Sequence, residues 1–136
     1  RSMFMGMMLI HVHQNIATIT AAGMPPFLYY HHQTKELKKI QLNGMVLGTN
    51  FNLNSEEMTI SLKNHDCLVF FSDGLCELFN PSNEMLDYDR IMEVVSNNIH
   101  LSTDQILEKI MNLANEWRKD RLQYDDITIT IIKYVE

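Results

Sequence analysis

Hydrophobic and polar positions along the chain fall into two regimes. Up to about residue 72 apolar residues recur at strand spacing, and beyond it they recur at helical spacing until a final alternating run. "IATIT", 16–20, alternates apolar residues with threonine, the period of a strand with one buried face. With the run before it, this predicts two strands, 4–13 and 15–21, joined by a turn at "HQN". "AAGMPP" breaks the sheet, and "FLYYHHQTKELKKIQL" predicts a hairpin with Gln33, Thr34 and Lys35 at its tip. The Asn- and Gly-rich "NGMVLGTNFNLNSEE" predicts a loop, followed by strands near 58–62 and 67–72 with polar "KNHD" turning between them. "LVFF", 68–71, is apolar without alternation, as a strand buried on both faces requires.

The second regime predicts helices over 88–98 and 103–118. Ser102 and Gln105 form a capping-box pair. Ile106, Leu107, Ile110, Met111, Leu113, Ala114 and Trp117 then make one apolar stripe that places Trp117 in the core. In the closing "DITITIIKYV", Ile127, Ile129 and Ile131 face one way and Thr128 and Thr130 the other. Strands in hairpins, then helices, then a last strand imply a layered α+β domain.

Composition narrows the classes. A chain of 136 residues with 46% hydrophobic and 21% charged residues has the material for a real core and is not disordered. A net charge of −6 supplies no basic stripe for nucleic acid. The apolar run in "RSMFMGMMLI" is about half the ~20 residues of a membrane-spanning helix and lacks a secretory cleavage site, so no membrane segment is expected here. Cys67 and Cys76 lack metal-ligand spacing and read as reduced core thiols of a cytoplasmic protein. The chain opens on Arg1 and enters strand-like sequence at once, which reads as a piece of something longer.

Two acidic positions invite a chemical reading. Asp73 follows the apolar strand directly, where an unpartnered buried carboxylate is costly. Asp125 and Asp126 stand side by side before "ITITII" and repel one another without a cation nearby. Taken singly, each is an ordinary turn. Taken together, both lie at ends of apolar strands that a sheet can bring into one cleft. Hard oxygen ligands on rigid strands suit Mg²⁺ or Mn²⁺, with a further ligand from elsewhere. His11 and His13 share a strand face and read as edge positions rather than metal ligands, and His31 and His32 as surface.

"LVFFSDGLCELFN", followed some fifty residues later by "YDDITITIIK", resembles the SpoIIE/RsbU-type branch of the metal-dependent (PPM) serine/threonine phosphatases. "AAGMPPFLYY" resembles its Ala-Gly-His-Pro-Pro segment, "GMVLG" its Gly-x-Pro-Leu-Gly loop, and "NEMLDYDRI" its Gly-Glu-x-Phe-Gly-x-x-Arg-Leu helix start. The resemblance implies an antiparallel β-sandwich layered between helices, with residues 1–136 as the C-terminal portion of one phosphatase domain. It implies two divalent ions, Mn²⁺ or Mg²⁺, that activate a water for in-line attack on phosphorus. By matching position, Asp73 and Asp125 would be metal ligands and Asp126 an orienting neighbour. Gly74 would serve a tight backbone approach, and Glu77 would lend support from outside the ligand set.

Several positions depart from the pattern. The family's early Gly-Asp motif, whose aspartate bridges the two metals, has no counterpart, because residues 1–65 contain no aspartate. The fold is therefore expected to be incomplete on its N-terminal side, and this chain alone to be inactive. Met24 stands where many members have His, Val46 where Pro is usual, and Asp87 replaces a glycine in a position suited to a helix cap. The resemblance further implies a phosphoserine or phosphothreonine protein substrate, typically a STAS-type anti-sigma-factor antagonist in bacterial signalling. The alternative is a phosphatase-like module that binds a regulatory partner without hydrolysis. An aspartyl-phosphate hydrolase of the haloacid dehalogenase type lacks its Asp-x-Asp motif here. With its neighbours missing, the Met-rich N-terminal strand would be exposed and prone to self-association.

Overall fold

The computed structural model describes residues 3–49 and 55–136. Among the described residues, seven strands and three helices follow in the order β1 (Met7–His13), β2 (Ile16–Ala22), β3 (Phe27–His31), β4 (Glu36–Ile40), β5 (Glu57–Ser61), β6 (Cys67–Phe71), α1 (Asp73–Cys76), α2 (Tyr88–Asn98), α3 (Thr103–Arg118) and β7 (Ile129–Lys133). The strands form two antiparallel sheets, β1-β2-β5 and β4-β3-β6-β7.

Two cores hold the layers together. Between the sheets, Ala17, Ile19 and Ala21 on the inner face of β2 meet Phe27, Leu68 and Phe70. On the other side of the four-stranded sheet, Leu28, Val69 and Phe71 pack against Ile91, Val95, Ile106 and Ile110 of α2 and α3. β6 feeds both cores, so all five of its residues are buried and its sequence cannot alternate. Each such aliphatic or aromatic side chain contributes roughly 1.5–3 kcal/mol of burial.

α2 and α3 start where the sequence says, whereas the one-turn α1 is not predicted by it. Ser102 and Gln105 close a full capping box on α3, and the Asp87 side chain accepts from Arg90 N at the start of α2. Trp117 is half-buried rather than enclosed, because its indole N–H reaches out to the carbonyls of Leu78 and Glu84. Ile127, Ile129 and Ile131 all pack towards the helices, as their alternation required.

Some boundaries differ from the sequence reading. β1 begins at Met7 and not at residue 4, since Met5 makes only an isolated bridge to Leu47. β7 begins at Ile129 because the residues before it are bound to Ser72 instead of running on in the strand. Part of the expected loop, residues 50–54, lies outside the described residues. α2 and α3 cover one side of the sandwich, while the outer face of β1-β2-β5 leaves Leu9, His11, Ile16 and Thr59 exposed.

Candidate metal site

The end of β6 and the approach to β7 are stitched together by one serine. Ser72 occupies the N-cap of α1, yet its hydroxyl makes no cap bond. It donates instead to the Asp126 carbonyl (3.0 Å) and accepts from Thr128 N (3.0 Å). Its own N–H donates to the Thr128 carbonyl at 2.9 Å. Gly74 then packs directly under Asp126: a Cβ there would stand 2.4 Å from the Asp126 carbonyl oxygen and 3.4 Å from the Asp125 carbonyl carbon. The glycine is required by this approach of two backbones, with no special φ involved.

This stitching sets Asp73 and Asp125 on abutting segments. Both are exposed, and each is oriented by the amide that follows it: Asp73 Oδ1 accepts from Gly74 N (3.0 Å) and Asp125 Oδ1 from Asp126 N (2.8 Å). Among the described residues the second oxygen of each accepts no hydrogen bond. Asp126 contributes its carbonyl to the stitching and leaves its carboxylate exposed. Glu77 closes α1 through its N–H to the Asp73 carbonyl (2.8 Å) and keeps its side chain exposed.

The two carboxylates open onto neighbouring clefts. Asp73 lies in a cleft of about 410 Å³ with Met24, Val46 and Thr128. Gly23, at φ +65°, is pressed against Val46 there, so the "AAGMPP" and "GMVLG" segments meet beside Asp73. Asp125 lies in a cleft of about 250 Å³ with Gly74, Glu77, Arg121 and Tyr124. Arg121 is a residue that sequence reading missed. Its Nη1 donates to the Asn80 carbonyl (2.7 Å), and its guanidinium sits 5.3 Å from the Phe79 ring centroid and 5.9 Å from that of Tyr124. A cation held in this way is pre-oriented beside Asp125. Nothing in its spacing signalled it.

The donor set is hard oxygen throughout, which fits Mg²⁺ or Mn²⁺ and not a soft metal. Among the described residues no three His, Cys, Asp or Glu side chains converge to hold an ion. Two aspartates therefore fit a cation that keeps several waters or takes a further ligand. His11 and His13 are exposed on β1 and belong to no such group.

The buried carboxylate is Asp66, not Asp73. Asp66 is fully buried at the other end of β6, where its oxygens accept from His32 N (2.7 Å), Tyr29 Oη (2.9 Å) and Lys63 N (2.9 Å). His31 is half-buried beside it, its Nδ1 3.5 Å away, and His32 is half-buried as well, so neither is a plain surface residue. Burial, reinforced by the Asp66 bond and charge, pushes the Tyr29 hydroxyl well above its ordinary pKa. Cys67 is buried and Cys76 half-buried, and neither is in a disulfide.

Comparison with known proteins gives this geometry a family. The profile of the Stage II sporulation protein E (SpoIIE) family matches residues 1–135. The chain belongs to the SpoIIE family. The phosphoserine phosphatase RsbU of Bacillus subtilis (strain 168) is 22% identical over 116 residues, covering 85% of this chain and 34% of RsbU. The chain thus spans about a third of the length of that curated relative. Its fold matches the SiaA-PP2C domain of Pseudomonas aeruginosa with a TM-score of 0.77 at 12% identity, over 95% of this chain and 50% of that one. It also matches the catalytic domain of the serine/threonine phosphatase PstP, solved with two manganese ions, with a TM-score of 0.67 at 13% identity. That match covers 93% of this chain and 57% of PstP. The architecture of this SpoIIE-family chain is accordingly that of the PP2C (PPM) phosphatases. No helix among the described residues is long and apolar enough to cross a membrane.

Proposed function

We propose that this SpoIIE-family chain is the C-terminal portion of a metal-dependent phosphatase domain acting on phosphoserine or phosphothreonine of a protein. The observation that carries this reading is the packing of Gly74 under Asp126, which sets Asp73 and Asp125 on abutting strand ends with unbonded oxygens. Asp73 and Asp125 hold Mn²⁺ or Mg²⁺, the PstP domain with its manganese ions being a relative by fold. When bound, such ions supply charge for the phosphoryl oxygens and a water acidic enough to act as nucleophile. Ser72 and Gly74 keep the two carboxylates in register. Asp126 and Glu77 surround them with negative charge that favours a divalent cation. Arg121 orients the substrate phosphate from the cleft it shares with Asp125. A phosphorylated STAS-type antagonist in a bacterial cytoplasm is the substrate and setting that the SpoIIE/RsbU-type resemblance suggests, and the relative RsbU is itself named a phosphoserine phosphatase. A further carboxylate comes from sequence outside these 136 residues, so the chain alone hydrolyses phosphate esters poorly. Exposed Phe4, Met5 and Leu9 on the β1 side support contact with a second copy.

A second reading rests on the absence, among the described residues, of three converging ligands: a phosphatase-like module that binds its partner without hydrolysis. One assay separates the two. Mn²⁺-dependent hydrolysis of p-nitrophenyl phosphate is measured for this chain, for a protein carrying a complete SpoIIE-type domain around it, and for that protein with Asp73→Asn. Activity only in the complete protein, reduced about 100-fold or more by the substitution, is expected. An inactive complete protein at saturating Mn²⁺ favours the binding module instead and calls for a search for its phosphoprotein partner. In the active protein, Arg121→Ala raises KM and leaves Mn²⁺ affinity unchanged.

A further inference from the structure

At the end of β6 opposite Asp73, the molecule gathers basic side chains from three turns and one strand end. His32 and Lys35 come from the β3–β4 turn, His65 from the β5–β6 turn, His100 from the α2–α3 turn, and Lys133 from the end of β7. Together they line a cleft of about 280 Å³. Cross-strand pairing of Tyr30 with Cys67 and of Cys67 with Lys133 fixes its floor. Three of the chain's six histidines meet here, in a protein whose net charge is −6.

Among the described residues no carboxylate lines the cleft. Asp66 is the neighbouring carboxylate, but its oxygens are engaged by His32 N, Tyr29 Oη and Lys63 N. Lys133 Nζ donates to the neutral carbonyls of Ile99 (2.8 Å) and Leu101 (2.9 Å). Lys35 Nζ lies 3.2 Å and 3.4 Å from the two ring nitrogens of His32, whose ring is 5.1 Å from that of His65. Among the described residues neither lysine pairs with a carboxylate. Burial, and then the charges of Lys35, His65 and Lys133, hold the His32 imidazole below its ordinary pKa, against the pull of Asp66. A cleft built from three turns and a strand end, with two lysines and no carboxylate in its lining, is arranged to receive an anion.

We propose that this cleft is a binding site for a phosphate-class dianion, either free inorganic phosphate or a phosphate monoester carried by a protein. Two ammonium groups and three imidazoles can donate to several oxygens of one tetrahedral anion, and Lys35 gains a far better acceptor than a histidine ring. The site lies roughly 20 Å along β6 from Asp73, by strand rise, and is therefore separate from the candidate metal site.

The test uses this chain with EDTA present, so that no metal contributes. Inorganic phosphate is titrated by calorimetry and by NMR of the histidine C2–H signals, at constant ionic strength. Saturable movement of the His32, His65 and His100 signals, with those of His11 and His13 unmoved, is expected. Lys35 and His65 have φ of 59° and 70°, a conformation Asn accepts, so Lys35→Asn and His65→Asn keep the turns intact. Each should weaken binding about fivefold or more. Lys38→Gln should not, since Lys38 lies outside the cleft and pairs with Glu36 (3.0 Å). Thermal melts confirm that the variants fold. A phosphoserine peptide that binds more tightly than both phosphate and its unphosphorylated form identifies a protein-borne monoester, and equal affinity with phosphate identifies the free ion. Equal response to chloride, or unchanged affinity in both Asn variants, overturns the site.

Discussion

β6 has an aspartate just before its first residue and another just beyond its last, and the two have opposite fates. Asp66 is fully buried and accepts three hydrogen bonds, tying the β5–β6 turn to β3. Asp73 is exposed, is held only by the next amide, and keeps one oxygen unbonded. A buried carboxylate has to be saturated by its own fold, or its desolvation is not offset. A carboxylate meant for a ligand has to be left with free lone pairs and accept the loss of stabilising bonds. The strand thus separates a structural acid from a candidate functional one by about its own length, and the two clefts at its ends inherit opposite charge.

The comparison can be broken most severely at Asp66. Asp66→Asn turns an acceptor towards donors and should cost roughly 3 kcal/mol or more, read as a shift in urea midpoint. Gly74→Ala probes the opposite end through packing. With the Asp126 carbonyl oxygen 2.4 Å from the new methyl, the backbones must part, at about 1–3 kcal/mol and with loss of Mn²⁺ affinity. A destabilised variant with unchanged affinity would detach the stitching from the site.

Cys67 tests the buried end by pH. Burial pushes its thiol from 9.0 up to about 11, with Lys133 opposing and Asp66 adding to the shift. The folded protein then holds a proton that the unfolded chain releases. Stability from this group is full below pH 9.0 and is lost as pH rises towards about 11. Relative to Cys67→Ala, the native protein should lose roughly 2 kcal/mol across that window. A parallel pH dependence of the two proteins would sink the assignment.

Ser72→Ala removes two side-chain bonds at the rim of the stitching and should cost about 1 kcal/mol. Smallest of all, Asp73→Asn and Asp125→Asn should leave stability within about 0.5 kcal/mol while weakening Mn²⁺ binding. If Asp73→Asn destabilised the fold as Asp66→Asn does, Asp73 would be a structural acid too.

The sequence by itself determined the long elements and the family, though not the one-turn α1. Strand alternation at 16–20, the unbroken run at 68–71, the Ser102–Gln105 cap and the isoleucine register of β7 are local patterns, and local backbone and burial preferences read them directly. The "SDG" and "DDIT" segments likewise declared themselves as motifs. Only the tertiary structure decided which aspartate is buried, because "KNHD" and "SDG" are equally polar interruptions on paper. It alone decided that Gly74 is needed for the approach of Asp126, that the Ser72 hydroxyl serves a partner 54 residues away, and that Arg121 stands beside Asp125. The cationic cleft is the extreme case. Its five residues come from three turns and a strand end up to about a hundred positions apart, each ordinary in its local sequence, and only the closing of the sheets makes them neighbours.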